Sequence, residues 1–346
     1  MSAARKPAEG PETPHPRETL ELFGHQEAEQ AFLSAYRGGR LPHAWLIGGP
    51  PGIGKATLAY RMARFVLAHP DPNSAFVQRA ETLALDPDDP VARRVTAQGH
   101  SDLLVLERTA GDSGALRTVI TVDQVRRTIG FFGSTAGEGG WRVVIVDAVD
   151  ELNPAGTNAL LKILEEPPEK ALLLLVSHAP GRLLPTIRSR CRRLSLRPLS
   201  EGEVAQAVAQ TLDMDVTDAD LRKAAAAADG SVARALMFMG GSALAVREQV
   251  NGLLAALPTV DGRALHALGD ALGRADDDAF ATFVDALKDW LSARLNAERA
   301  EPHRLAQVAE VWEKLHRTAR DVEIFRLDRK PMVFAVFGML AETVRR

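Results

Sequence analysis

The chain has 346 residues, 46% of them hydrophobic and 25% charged, with a formal net charge of −3. That length predicts more than one domain, and the near-neutral balance excludes a globally basic nucleic-acid coat, so nucleic-acid contacts must come from a local patch or from partner subunits. The single cysteine, Cys191, excludes an intrachain disulfide and any Cys-based zinc site.

Residues 1–18 are rich in proline and charge and poor in large apolar groups, and are expected to form a disordered tail. They do not resemble a secretory signal. The longest buried-type apolar run, Ala171 to Val176, is far too short to span a bilayer, so a cytoplasmic protein is expected. Gln26 to Gly38 has helical spacing and ends at a glycine pair. Ala44 to Ile47 then forms a short apolar strand that runs into a glycine-rich loop, and Ala56 to Ala68 is helical again. Residues 69–99 hold four prolines and are expected to be irregular. Leu103 to Glu107 predicts a strand, and 108–118 a loop. Thr121 to Gln124 has the form of a capping box opening a helix. Arg142 to Asp147 is a continuous apolar strand ending in an acid. Asn153 to Glu166 is a helix stopped by Pro167-Pro168. Leu172 to Val176 is another buried strand. Strands alternating with helices imply a parallel sheet. Beyond Pro198 the chain is Ala- and Leu-rich at helical spacing. Phe280, Phe283, Val284, Leu287 and Leu291 share one helical face, with Asp276 to Asp278 available as a cap, and Val308, Val311, Trp312 and Leu315 repeat the spacing.

The glycine-rich loop, Gly49-Pro50-Pro51-Gly52-Ile53-Gly54-Lys55, fits G-x-x-x-x-G-K in the strand–loop–helix setting that a phosphate cradle requires. Its glycines let backbone N–H groups turn inward, the next helix presents its positive end, and Lys55 adds a charge. The candidate nucleotide-binding residues here are Gly49, Gly52, Ile53, Gly54 and Lys55. The following position, which should carry a hydroxyl for Mg²⁺, is Ala56. Thr57 stands one helical step on, rotated by about 100°. It is a candidate for that duty or an ordinary packing residue. Asp147, at the end of its strand, is the candidate carboxylate for Mg²⁺ through water, but its neighbour is Ala148 where a water-activating acid would stand. Asp150 and Glu151 lie off the strand end and are read as solvated acids. Losing both groups should leave hydrolysis very poor, because phosphoryl transfer rests on positioning and charge. Binding of ATP remains open.

Several segments together resemble the clamp-loader subunits of bacterial DNA polymerase III, a branch of the AAA+ family. They are Leu22-Phe23-Gly24-His25-Gln26, Leu41-Pro42-His43-Ala44, the run Asn158 to Pro168 and, at the family's spacing, Thr186-Ile187-Arg188-Ser189-Arg190-Cys191. The resemblance covers about residues 20–198 well and the helical remainder loosely. It implies that Arg190, in a Ser-Arg-Cys motif, is an arginine finger reaching a neighbour's nucleotide; from the residues alone it is one surface arginine among Arg188, Arg192 and Arg193. Motor subunits of the gamma or tau kind keep the Lys-Thr and Asp-Glu pairs that this chain lacks, so the resemblance is to the delta-prime kind. Many relatives carry a four-cysteine zinc module where residues 69–99 stand, and this chain has no cysteine there. Ser177 or His178 stands near the family's first sensor position. Arg234, in a segment similar to the second sensor, sits one position late; it is a nucleotide-binding candidate or a helix-surface arginine. Arg126, Arg127 and Lys162 could line a DNA path or be solvated.

The expectation is an AAA+ α/β domain with a parallel sheet over 19–198, a helical lid over 199–243 and an all-α collar over 244–346. The resemblance implies a non-hydrolysing subunit that helps load the sliding clamp onto primed DNA, with gamma/tau and delta subunits as partners. The polymerase activity of that holoenzyme lies in other subunits. The alternative is an active clamp-loader ATPase.

Overall fold

A computed structural model describes residues 13–109, 117, 119–133, 137, 140–297 and 302–345. These group into two compact units. One comprises 13–217 with 229–233, and the other 218–228 with 234–345.

The first unit begins with helix α1 (Gln26–Arg37), strand β1 (Ala44–Gly48) and helix α2 (Lys55–Ala68). Two short helices follow, α3 (Ala75–Arg79) and α4 (Pro90–Thr96), inside the stretch expected to be irregular. Each is started by a side-chain cap, Ser74 Oγ accepting from Val77 N, and Asp89 accepting from Val91 N and Ala92 N. Then come β2 (Leu103–Glu107), α5 (Val122–Gly133), β3 (Arg142–Asp147), α6 (Pro154–Glu165), β4 (Ala171–Ser177), α7 (Pro185–Arg190), β5 (Arg192–Ser195) and α8 (Glu201–Leu212). The predicted capping box at α5 is present: Thr121 N donates to Gln124 Oε1 at 2.9 Å, and Gln124 N to Thr121 Oγ1 at 3.5 Å.

The five strands form one parallel sheet in the order β2-β3-β4-β1-β5. Alternate side chains leave its two faces. Trp45, Ile47, Val143, Ile145, Leu172, Leu174 and Val176 face α1 and α2, whereas Leu46, Val144, Val146, Leu173 and Leu175 face α5, α6 and α7. Every residue of β4 is buried, as a central strand covered on both sides must be.

Residues 13–18 depart from the expected disordered tail, of which residues 1–12 lie outside the described residues. Arg64, 2% exposed, donates to the carbonyls of Arg17 and Thr19. Thr96 Oγ1 also donates to Arg17 O, and Arg61 to Leu20 O. A buried guanidinium must find acceptors, and the peptide carbonyls of this segment supply them. Most of the expected 108–118 loop lies outside the described residues.

The second unit is helical among its described residues. It contains α9 (Ala219–Ala227), most of α10 (Val232–Met239), α11 (Ala243–Ala255), α12 (Gly262–Arg274), α13 (Asp277–Ala297), α14 (Pro302–Phe325) and α15 (Arg329–Arg345). The predicted stripe Phe280, Phe283, Val284, Leu287 and Leu291 is buried against Val308, Val311 and Leu315. Asp276 accepts from Ala279 N, capping α13. The boundary between the units falls within the segment expected to be a lid, 199–243.

Candidate functional site

Parallel strands present their carboxyl ends on one edge of a sheet, and there ligands bind. The register puts Gly48 beside Ser177, and Asp147 beside Val176, so β4 separates the glycine-rich loop from the acid. Gly49 N donates to Ser177 O at 3.3 Å. Gly52 and Gly54 take φ of +74° and +95°, angles that glycine adopts freely. At Gly52 space adds a second demand: a Cβ would sit 2.2 Å from Ser231 Oγ and 2.9 Å from Ala233 Cβ. Ala233 N reaches Gly52 O at 3.4 Å, and His25 Nε2 donates to Ile53 O at 2.7 Å. Burial holds the His25 ring below its ordinary pKa, with Glu203 pulling the other way.

Lys55 opens α2 and is 3% exposed. Its ammonium donates to Pro50 O at 2.5 Å, within its own loop. Burial depresses its pKa from 10.5 to about 8, against the opposing pull of Asp147 and Asp150. Burial raises the Asp147 carboxyl, against the pull of Lys55. Lysine and acid are thus electrostatically coupled across the end of β4. Ala56 is partly buried against the core on the α1–α2 face of the sheet, and Thr57 is half-buried one step further along α2.

The expected first-sensor position is occupied structurally. Ser177 is fully buried, and its hydroxyl donates to Asp150 Oδ1 at 2.8 Å, while His178 N donates to Asp150 Oδ2 at 2.5 Å. Glu151 pairs with Arg108 at 2.8 Å. The two acids read from the sequence as solvated are therefore in use, one fixing the end of β4 and the other an arginine beyond β2. No local pattern marks Asp150, because its partners lie 27 and 28 residues away.

These residues fit a bound nucleotide and its metal unequally. The loop retains the glycine conformations of a phosphate cradle and its lysine. For Mg²⁺, Asp147 would offer a carboxylate, whereas Ala56 and Ala148 supply no oxygen from their side chains. Among the described residues, no group of three or more His, Cys, Asp or Glu side chains could hold a metal ion.

Arg190 ends α7 and is partly exposed. Its Nη2 pairs with Glu165 Oε1 at 2.9 Å, and Nη1 donates to Thr186 O at 3.0 Å. Cys191 packs against the α6 side of the sheet, and burial pushes its thiol up to about 11. Arg234 pairs with Asp289 at 3.3 Å, sharing that carboxylate with Arg247 at 3.0 Å. Arg126 pairs with Asp123 on α5, and Arg127 and Lys162 are exposed.

A glycine-rich loop between a central parallel strand and a helix, an acid at the end of β3, and helices on both faces of the sheet define an AAA+ phosphate-loop fold followed by an all-α region. The family described as DNA polymerase III, delta subunit, matches residues 24–200. The DNA polymerase III subunit delta′ of Escherichia coli is 30% identical over 82% of this chain and 77% of its own length. That of Pseudomonas aeruginosa is 40% identical over 47% of this chain, a match spanning 46% of the relative. The DNA polymerase III subunit gamma of Buchnera aphidicola is 30% identical over 65% of this chain and 58% of its own. The chain belongs to the delta-prime family of DNA polymerase III subunits. Among the described residues no helix is long and apolar enough to cross a membrane.

Proposed function

We propose that this chain is a delta-prime-type clamp-loader subunit, which helps place the sliding clamp on primed DNA without hydrolysing ATP itself. Alanine at 56 and 148 carries the reading. The hydroxyl that would hold Mg²⁺ and the carboxylate that would activate water are both missing from one site, and phosphoryl transfer has little else to draw on. Nucleotide would lie on Gly49, Gly52, Ile53, Gly54 and Lys55, beside Thr57 and Asp147. Arg234, the remaining nucleotide-binding candidate, would have to leave Asp289 to meet a phosphate. The functional contribution is made in trans: Arg190 is offered to the ATP of a gamma or tau neighbour, where a planar, permanently charged guanidinium suits the developing phosphate charge. The helical region 244–346 serves as a collar joining these subunits and delta, in a cytoplasmic hetero-oligomer. DNA contacts, where made, are to backbone phosphates and carry no sequence preference.

ATP turnover by the reconstituted complex, with clamp and primed DNA, tests this. Arg190→Ala should lower turnover by about 10³-fold at the neighbouring site, with none by the isolated chain. An unchanged rate removes the finger. Turnover by the chain alone, abolished by Lys55→Ala, would instead make it an active ATPase.

A further inference from the structure

From Pro180 to Ser200 the chain carries six arginines, at 182, 188, 190, 192, 193 and 197, and no acid. A carboxylate for any of them must come from another element. One does: Glu165, in the last turn of α6, meets Arg190 at the end of α7 at 2.9 Å. Together with the carbonyl of Thr186, 3.0 Å from Nη1, it holds the guanidinium at two points.

The ion pair is poorly suited to holding the fold together. Its side chains are 35% and 49% exposed, and exposed pairs contribute little to stability. Its geometry suits aiming. A guanidinium presents about five N–H donors in a rigid fork. Two bonds fix its plane and leave the other donors for a further anion. A long flexible side chain held this way gives up less freedom when a phosphate arrives.

We propose that Glu165 is a positioning residue for Arg190, holding the guanidinium in the orientation in which it meets a neighbour's nucleotide phosphate. This rests on the reading of Arg190 as a finger acting in trans.

A double-mutant cycle in the reconstituted complex tests both and separates them. Saturated turnover, KM for ATP, assembly by size exclusion and the Tm of the chain are measured for wild type, Glu165→Ala, Glu165→Gln, Arg190→Ala and the Glu165→Ala/Arg190→Ala double variant. Glu165→Ala should lower kcat by about tenfold, as expected of a misplaced reacting group. KM, assembly and Tm should stay unchanged. Glu165→Gln, which keeps an acceptor oxygen, should recover most of the rate. Glu165→Ala should add nothing in the Arg190→Ala background. If Arg190→Ala has no effect, the finger reading falls and the positioning role falls with it. If Arg190→Ala is slow and Glu165→Ala normal or faster, the finger stands and Glu165 does not aim it. Equal losses from Glu165→Ala in both backgrounds, or loss of assembly with either Glu165 variant, assign that residue another role and overturn the proposal.

Discussion

Lys55 is a cation held in a place that disfavours its charge. At ~1.4 kcal/mol per pH unit, the displacement from 10.5 to about 8 costs on the order of 3 kcal/mol of stability at neutral pH. Between about pH 8 and pH 10 the folded chain has released a proton that the unfolded chain still holds, so stability rises with pH in that window. Above it the trend reverses, because burial raises the phenols of Tyr36 and Tyr60, and the folded chain then keeps protons that the unfolded chain loses. Lys55→Met is therefore expected to raise Tm by several degrees at pH 7 and to flatten the rise between pH 8 and 10; Tm recorded across pH for both proteins checks this. An unchanged pH profile would mean that Lys55 does not titrate in the window. The residues of this site were legible in unequal degree. Gly52, Gly54, Lys55 and Asp147 stand in a contiguous or strand-end pattern, and the missing oxygens at Ala56 and Ala148 are visible by inspection. Asp150 was not legible, because its duty toward Ser177 exists only once β3 and β4 are neighbours.

Elements were readable where their apolar pattern was strong. β1, β3 and β4 are nearly continuous apolar runs because both faces are covered. β5 was missed because it is an edge strand reading Arg-Arg-Leu-Ser, with only Leu194 buried, and a charged edge is one way a sheet avoids pairing with another chain. The short helices α3 and α4 were hidden behind prolines, although Ser74, and Asp89 followed by Pro90, were start signals. The segment 13–18 was missed for a different reason. Its composition is that of a tail, and its order comes from Arg64 and Thr96, far along the chain. Arg64→Met keeps the apolar stem and removes the donors to Arg17 O and Thr19 O, leaving Thr19 O without that partner and Arg17 O with Thr96 Oγ1. It should lower stability by about 2 kcal/mol and speed tryptic cleavage after Arg17 several-fold, read by mass spectrometry of early time points. Equal cleavage rates in the two proteins would show that Arg64 does not hold the segment.

At the scale of the whole molecule, the sequence change near Pro198 marked two regimes, a sheet-based one and a helical one, but not the place where the units divide. The chain crosses between the units at 217/218, 228/229 and 233/234, at turns and short helices flanked by helices on both sides, so the helical periodicity does not change there. Two separate apolar cores lie behind the division, the sheet with its covering helices and the α11–α15 cluster, each in a unit large enough to fold about its own core. Such an arrangement predicts two calorimetric transitions rather than one. Phe283 is fully buried in the helical cluster, and Phe283→Ala should cost about 3–5 kcal/mol there. Differential scanning calorimetry should then show one transition moving down by ten degrees or so (~2–4 °C per kcal/mol for units of this size) while the other keeps its place. A single transition that shifts as a whole would mean that the two cores unfold as one cooperative body. In that case a lesion in the α11–α15 cluster would be felt at the glycine-rich loop, and a change of Tm alone would not say which unit carried it.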